Sequence, residues 1–281
     1  MTQWLKSGAT AVITGGAGGI GLAAAQHFAT AGMNLVLVDM KEAELETAAA
    51  TLSDLGAQVM TERCDVSDLA ALQALQTKVA DRFGPVHCLM NNAGIGRRGT
   101  KPWEDIDAFH KTMAINLFGV VNGCHAFIPS MLAHGQPGAV INTASKQGIT
   151  RPPGNYAYNL SKSGVLAYTE SVAHAFRGEE NCRISAHLLV PGFVYTPMVE
   201  AFIPNKPPFA ATAEETIDYM MARLKDDAFY ILCPDKETPR ALDEIRIQWT
   251  AASTAPPCRA GTATMRQSSR RLSIIDRQCR G

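Results

Sequence analysis

Tyr158 and Lys162 stand four residues apart, and Ser145 lies thirteen residues before the tyrosine. In a helix a four-residue spacing puts two side chains on one face, one turn apart. An ammonium beside a phenol favours the phenolate, so the pair predicts a tyrosine pulled down from its usual value of about 10. Such a tyrosine is a general base for an alcohol and a general acid for a ketone. Ser145 ends an apolar run and would hold a substrate oxygen with its hydroxyl. A Tyr-x-x-x-Lys pair alone is a weak signal. The elements that position it must carry the rest of the argument.

The first such element opens the chain. Ala9–Thr14 is a short β-branched run that breaks into glycines, and Leu22–Ala31 has the composition of a helix. Asn34–Asp39 is a second apolar strand. Strand, glycine turn, helix, strand and an acidic residue about twenty positions on is the order of a dinucleotide-binding unit. Gly15, Gly19 and Gly21 let the backbone approach a pyrophosphate, with Ile20 among them at the helix N-terminus. That terminus offers free N–H donors and a positive dipole end. Asp39 would accept from both adenosine ribose hydroxyls and repel a 2′-phosphate. The turn holds no Arg or Lys and Met40 follows Asp39, so the expected cofactor is NAD.

Further strands and helices alternate along the chain. Strands are predicted near 58–66, 87–92, 139–145, 183–190 and 229–233, with helices at 41–55, 68–83, 103–134, 156–177 and 212–225. The 103–134 stretch is mostly helical, as one helix or two. The alternation predicts an α/β fold: a Rossmann-like, doubly wound parallel sheet of about seven strands with helices on both faces. In such sheets ligands bind beyond the carboxyl ends of the strands. The glycine turn, Asp39, Asp65, Asn91–Gly94, Ser145 and Pro191–Gly192 all fall there.

Composition narrows the function classes. Lys and Arg together equal Asp and Glu at 26 each, so the whole chain gives no reason to expect nucleic acid. Residues 250–281 hold six Arg and one Asp, however, which leaves residues 1–249 at −5 and the end of the chain at +5. The seven cysteines are scattered without a Cys-x-x-Cys or a Cys/His cluster, which reads as reduced thiols and no metal site. No signal-like core and no apolar run near about 18 residues is apparent, so no membrane and a cytoplasmic location are expected.

With these motifs assembled, the chain resembles the short-chain dehydrogenase/reductase family, of the NAD-preferring type, over roughly residues 8–235. The resemblance rests on Thr14-Gly15-x-x-x-Gly19-x-Gly21, Asp65-Val66, Asn91-Asn92-Ala93-Gly94, Asn116, Ser145, Tyr158-x-x-x-Lys162 and Pro191–Thr196. It implies that Tyr158 is the catalytic acid/base and that Lys162 lowers its pKa and holds the nicotinamide ribose. Ser145 would orient the substrate oxygen, and Asn116 would help hold a water linking Lys162 to solvent. Asp65 and Val66 would contact the adenine, and Asn92, in the turn that ends at Gly94, the ribose side. Val194 and Thr196 would contact the carboxamide. The implied assembly is a homodimer or homotetramer.

The expected activity is NAD-dependent interconversion of a secondary alcohol and a ketone by a single domain over residues 1–249. An NADPH-linked carbonyl reductase is the competing enzyme, opposed by Asp39. A dinucleotide sensor without turnover is the competing non-enzyme, opposed by the intact Ser145/Tyr158/Lys162 set. Residues 193–213, rich in Phe, Met, Ile and Pro, have the make-up of a lid over a small apolar substrate. A polar helix is expected over about 239–249, then a basic, irregular tail over 250–281. Read one nucleotide earlier, degenerate codons for Pro257–Gln267 permit a string similar to family C-termini, which suggests a frameshifted tail.

Overall fold

Seven short apolar runs form the strands of one sheet. In the computed structural model, which describes residues 2–96, 101–234 and Ala241, they are β1 (Thr10–Thr14), β2 (Asn34–Asp39), β3 (Val59–Arg63), β4 (Val86–Asn91), β5 (Gly138–Thr143), β6 (Ile184–Val190) and β7 (Tyr230–Leu232). All pairs are parallel and the order is β3-β2-β1-β4-β5-β6-β7. The order reverses between β1 and β4, which opens a crevice at their carboxyl ends. The doubly wound parallel sheet expected from the sequence is therefore present.

Burial fixes the register. On one face Ile13, Leu35, Leu37 and Ile141 pack beneath helices α1 (Gly19–Thr30), α2 (Glu42–Asp54) and the last described helix, which spans Ala213–Lys225. On the other, Val12, Val36, Leu89 and Val140 pack beneath α3 (Leu69–Phe83) and two longer helices described below. Each fully buried Val or Leu contributes roughly 1.5–3 kcal/mol. A one-residue slip of any strand would trade the two faces and lose that burial for the whole row. Trp4 and Phe28 close the first core edge to face at 5.7 Å.

The stretch 103–134 is one continuous helical run with an irregular middle. It comprises α4 (Ile106–Met113), a π-helical turn over Ala114–Phe118 and α5 (Gly119–Ala133). The run is long and apolar enough, by length and composition, to cross a membrane, which the expectation of no such run did not anticipate. Here Val120, Phe127 and Met131 face the sheet core instead. Two short helices follow where no helix was expected: α6 (Lys146–Thr150) and, beyond α7 (Tyr156–Gly178), α8 (Pro197–Glu200). The last helix, α9 (Ala213–Lys225), starts with a reciprocal cap: Glu215 N donates to the Thr212 hydroxyl and Thr212 N to the Glu215 carboxylate. The polar helix expected over 239–249 and the basic tail over 250–281 lie outside the described residues.

Candidate active site

The glycine turn leaves β1 and enters α1 without filling the space in front of the helix. Gly19 adopts φ +53°, a conformation that L side chains rarely take. A Cβ on Gly21 would stand 2.1 Å from the Gly15 carbonyl oxygen, so only glycine lets α1 begin this close to the turn. Gly18 caps α1 with no side-chain hydrogen bond, and no acidic residue sits in its first turn. The first N–H groups of a twelve-residue helix therefore face an open cradle. That cradle fits a dinucleotide pyrophosphate. Thr196 roofs it: its side chain lies 3.1 Å from where a Gly19 Cβ would be.

Asp39 ends β2 beside this cradle. Its Oδ1 accepts from Met40 N at 2.8 Å and Lys41 N at 3.2 Å, and its Oδ2 from Ala17 N at 3.4 Å. Three backbone donors thus fix the carboxylate. Asp65, after β3, is held by Ser67, whose N–H and hydroxyl both donate to Oδ1. Val66 is buried against Gly119, and Asn122 of α5 donates to the Val66 and Ser67 carbonyls. Nothing in the sequence singles out Asn122, because its partners lie more than fifty positions away.

Asn92 uses its amide inside the protein. Its Nδ2 donates to the Thr14 and Gly15 carbonyls at 3.3 Å, and its Oδ1 accepts from the Thr143 hydroxyl at 3.3 Å. Thr14 in turn accepts from Asn92 N and Ala93 N. The side chain expected at the ribose thus clamps the ends of β1, β4 and β5 together. Asn116 is likewise committed: its Oδ1 accepts from Ile95 N at 2.7 Å and its Nδ2 donates to Ile95 O at 2.9 Å. A fully buried amide therefore pairs with loop backbone as a strand would. It lies in the π-helical turn, where the regular ladder of backbone bonds is interrupted. Gly94 fits between this amide and the lysine: a Cβ there would lie 3.3 Å from Asn116 Oδ1 and 3.7 Å from Lys162 Nζ.

Ser145 caps α6, and its Oγ accepts from Gln147 N at 3.2 Å. Its own proton is then left to donate, and the Ser145 hydroxyl favours the Tyr158 phenolate. Tyr158 and Lys162 do lie one turn apart on α7. Lys162, however, is buried, donates from Nζ to the Thr143 carbonyl at 2.7 Å, and stands 5.8 Å from the Tyr158 ring centre. Burial lowers its pKa to about 8. Burial raises the Tyr158 pKa, and the Ser145 hydroxyl only partly offsets this. The direction is opposite to the lowering expected from the sequence. Desolvation outweighs a lysine whose charge is aimed at a carbonyl and is itself weakened by burial.

The segment after β6 forms an arch that closes on itself and reaches the glycine turn and Gly96. Ala211 N donates to Phe193 O and Tyr195 N to Ala211 O, and Val194 bridges Ala211. Phe193 and Phe209 meet edge to face at 5.3 Å, and the Tyr195 hydroxyl donates to Pro204 O at 2.7 Å. Met198 lies over Gly96, with Sδ 3.1 Å from where a Cβ would stand. A cavity of about 330 Å³ lies beside α1 between this arch and the start of α9. Ser145, Tyr158 and Lys162 are not among its lining residues. Among the described residues no His/Cys/Asp/Glu group of metal-binding size occurs.

Residues 9–207 match the family model for short chain dehydrogenases. The chain is 32% identical over 252 residues to 1-deoxy-11-beta-hydroxypentalenate dehydrogenase of Streptomyces exfoliatus, covering 88% of this chain and 90% of that one. It is 38% identical over 193 residues to levodione reductase of Leifsonia aquatica, covering 67% and 70%. Among solved structures, a short-chain dehydrogenase/reductase from Burkholderia phymatum in complex with NAD superposes with a TM-score of 0.82 at 29% identity. That match covers 92% of this chain and 99% of the other.

Proposed function

The chain belongs to the short-chain dehydrogenase/reductase family, and on that premise we propose that it interconverts a secondary alcohol and its ketone with NAD(H), using Tyr158 as acid and base. One observation carries the reading: Lys162, one turn from Tyr158 and bonded to the Thr143 carbonyl at the end of β5, lies at the same sheet edge as an uncapped glycine cradle. Gly15, Gly19, Ile20 and Gly21 would hold the pyrophosphate, Asp39 the adenosine ribose, and Asp65 and Val66 the adenine. Gly94, Val194 and Thr196 would flank the nicotinamide end. Bound NAD supplies hydride acceptance; orientation and proton handling fall to the protein.

Ser145, already accepting from Gln147 N, directs its hydrogen toward the reacting oxygen. Tyr158 exchanges a proton with that oxygen. Its raised pKa keeps the phenol protonated at neutral pH, which suits donation to a ketone. In the other direction Tyr158 must receive a proton, and a charged Lys162 then stabilises the phenolate. Thr143 holds that lysine in place through its carbonyl. Asn116 acts through Ile95, by fixing the loop that walls the crevice.

The apolar arch of Phe193, Met198, Phe202 and Phe209 supports a small apolar, alicyclic or aromatic substrate. The two named relatives, acting on a pentalenate and on levodione, are consistent with that class. A cytoplasmic homodimer or homotetramer is part of the same reading; the five described cysteines are free thiols. The test is a panel of secondary alcohols and ketones with NAD(H) and NADP(H), followed by absorbance of the reduced cofactor. Turnover of apolar members with NAD supports the proposal. No turnover with any member, in a protein that still binds NAD, would move it to the sensor class.

A further inference from the structure

The β2–β3 register places Arg63 directly beside Asp39. Neighbouring strands lie about 4.8 Å apart, and register partners in a parallel pair point to the same face. An exposed arginine therefore shares its face with the carboxylate at the carboxyl edge of the sheet. Asp39 is fully engaged by backbone donors, and among the described residues Arg63 makes no ion pair. The other nearby cation, Lys41, is paired with Glu44 at 3.5 Å.

We infer that Arg63 is a latent 2′-phosphate partner, so that the cofactor preference of this chain rests on the single negative charge of Asp39. The inference rests on the reading that Asp39 meets the adenosine ribose. A guanidinium forks onto phosphate oxygens, and no arginine has to be introduced for that contact. Removing the Asp39 charge both lifts the repulsion and leaves Arg63 as the cation nearest the 2′ position. Asp39→Asn keeps an acceptor for Met40 N and Lys41 N and gives up only the longest of the three bonds, the 3.4 Å one from Ala17 N.

Calorimetric titration with 5′-ADP and 2′,5′-ADP tests this without turnover. The parent should prefer 5′-ADP. Asp39→Asn should reverse the preference by at least tenfold. Adding Arg63→Ala should abolish that gain while 5′-ADP binding stays within about twofold of Asp39→Asn; adding Lys41→Ala should leave the gain intact. A gain that survives Arg63→Ala, one that disappears with Lys41→Ala, or no gain in Asp39→Asn overturns the assignment. If the parent already prefers 2′,5′-ADP, the NAD reading fails separately. The single Arg63→Ala variant then decides, because a preference that survives it overturns the role of Arg63 as well.

Discussion

Lys162 reaches from α7 to the end of β5, where its Nζ donates to the Thr143 carbonyl at 2.7 Å while standing 5.8 Å from the Tyr158 ring centre. The lysine is therefore a buried cation pinned by one carbonyl, and the tyrosine is a half-buried acid whose pKa is raised by desolvation.

Tyr158→Phe removes only the proton-transfer group. A general acid/base is worth on the order of 10²–10⁴ in rate, so kcat should fall by at least about a hundredfold. NAD affinity, measured by fluorescence quenching, should change by less than a few fold. A variant within a few fold of the parent in kcat would place the proton transfer on another group.

Lys162→Met should separate stability from activity. The folded-state pKa of about 8 lies below the ordinary 10.5, so the folded protein disfavours the charge. The unfolded chain binds the extra proton, and the penalty is present in full below pH 8 and disappears as pH rises through 10.5. At pH 7 the shift corresponds to about 3 kcal/mol, less about 1 kcal/mol for the lost bond to Thr143. The variant without cofactor should therefore be more stable than the parent in urea at pH 7, lose that advantage near pH 10, and turn over poorly throughout. A variant less stable at both pH values would contradict the desolvation account.

The two reaction directions should respond to pH with opposite signs. Burial raises Tyr158, so ketone reduction, which needs the phenol, should hold through neutral pH and decline in alkali. Alcohol oxidation, which needs the phenolate, should rise with pH until Lys162 loses its proton near 8 and then gain less. Steady-state kcat profiles in both directions check this. Profiles that fall together would remove Tyr158 as the shared group.

Asn116→Ala unpairs both the N–H and the carbonyl of Ile95. Each buried polar group left unsatisfied costs about 1–3 kcal/mol, so the melting temperature should fall by several degrees. Amide exchange at Ile95 should speed up, and KM for substrate should rise more than KM for NAD. Unchanged exchange at Ile95 would show that the pairing is not what holds the loop.

A chain ending at Trp249 should keep cofactor binding and most of its turnover, because every residue assigned to the site lies before Cys233. Loss of NAD binding on truncation would make the last segment part of the working protein. The codons for Pro257–Gln267, read in the neighbouring frame, decide the origin of that segment independently.

Much of this was legible because the signals were local. β2 was read residue for residue: Leu35–Val38 is an apolar, buried run between Asn34 and the acidic Asp39, with Gly32 two residues before it. α7 was readable from a long stretch without Pro, and its Tyr158/Lys162 spacing gave the shared face directly. α6 was missed because Gly148 reads as a breaker. In the folded chain it is a contact point: a Cβ there would stand 2.7 Å from the Lys162 backbone, so small size lets α6 pack on α7. The π-helical turn has no periodicity of its own, and an Asn in an apolar run was its only trace. The raised Tyr158 and the aim of Lys162 depend on burial and on a carbonyl nineteen residues away. The Arg63–Asp39 pairing is a property of strand register, and no spacing within either strand reveals it.

The arch over the crevice hangs from the sheet by its two ends. Phe193 and Tyr195 bond to Ala211, the Phe193 and Phe209 rings lock the base, and only Thr196 and Pro197 lean on the glycine turn. The clamp of Thr14, Asn92, Thr143 and Lys162 shares no hydrogen bond with it. On the proposed function, substrate scope and proton chemistry are thus built from separable parts. Residues 199–208 are an exchangeable cassette, one that a lineage or an engineer can rewrite for a new alcohol while the machinery beneath keeps its alignment.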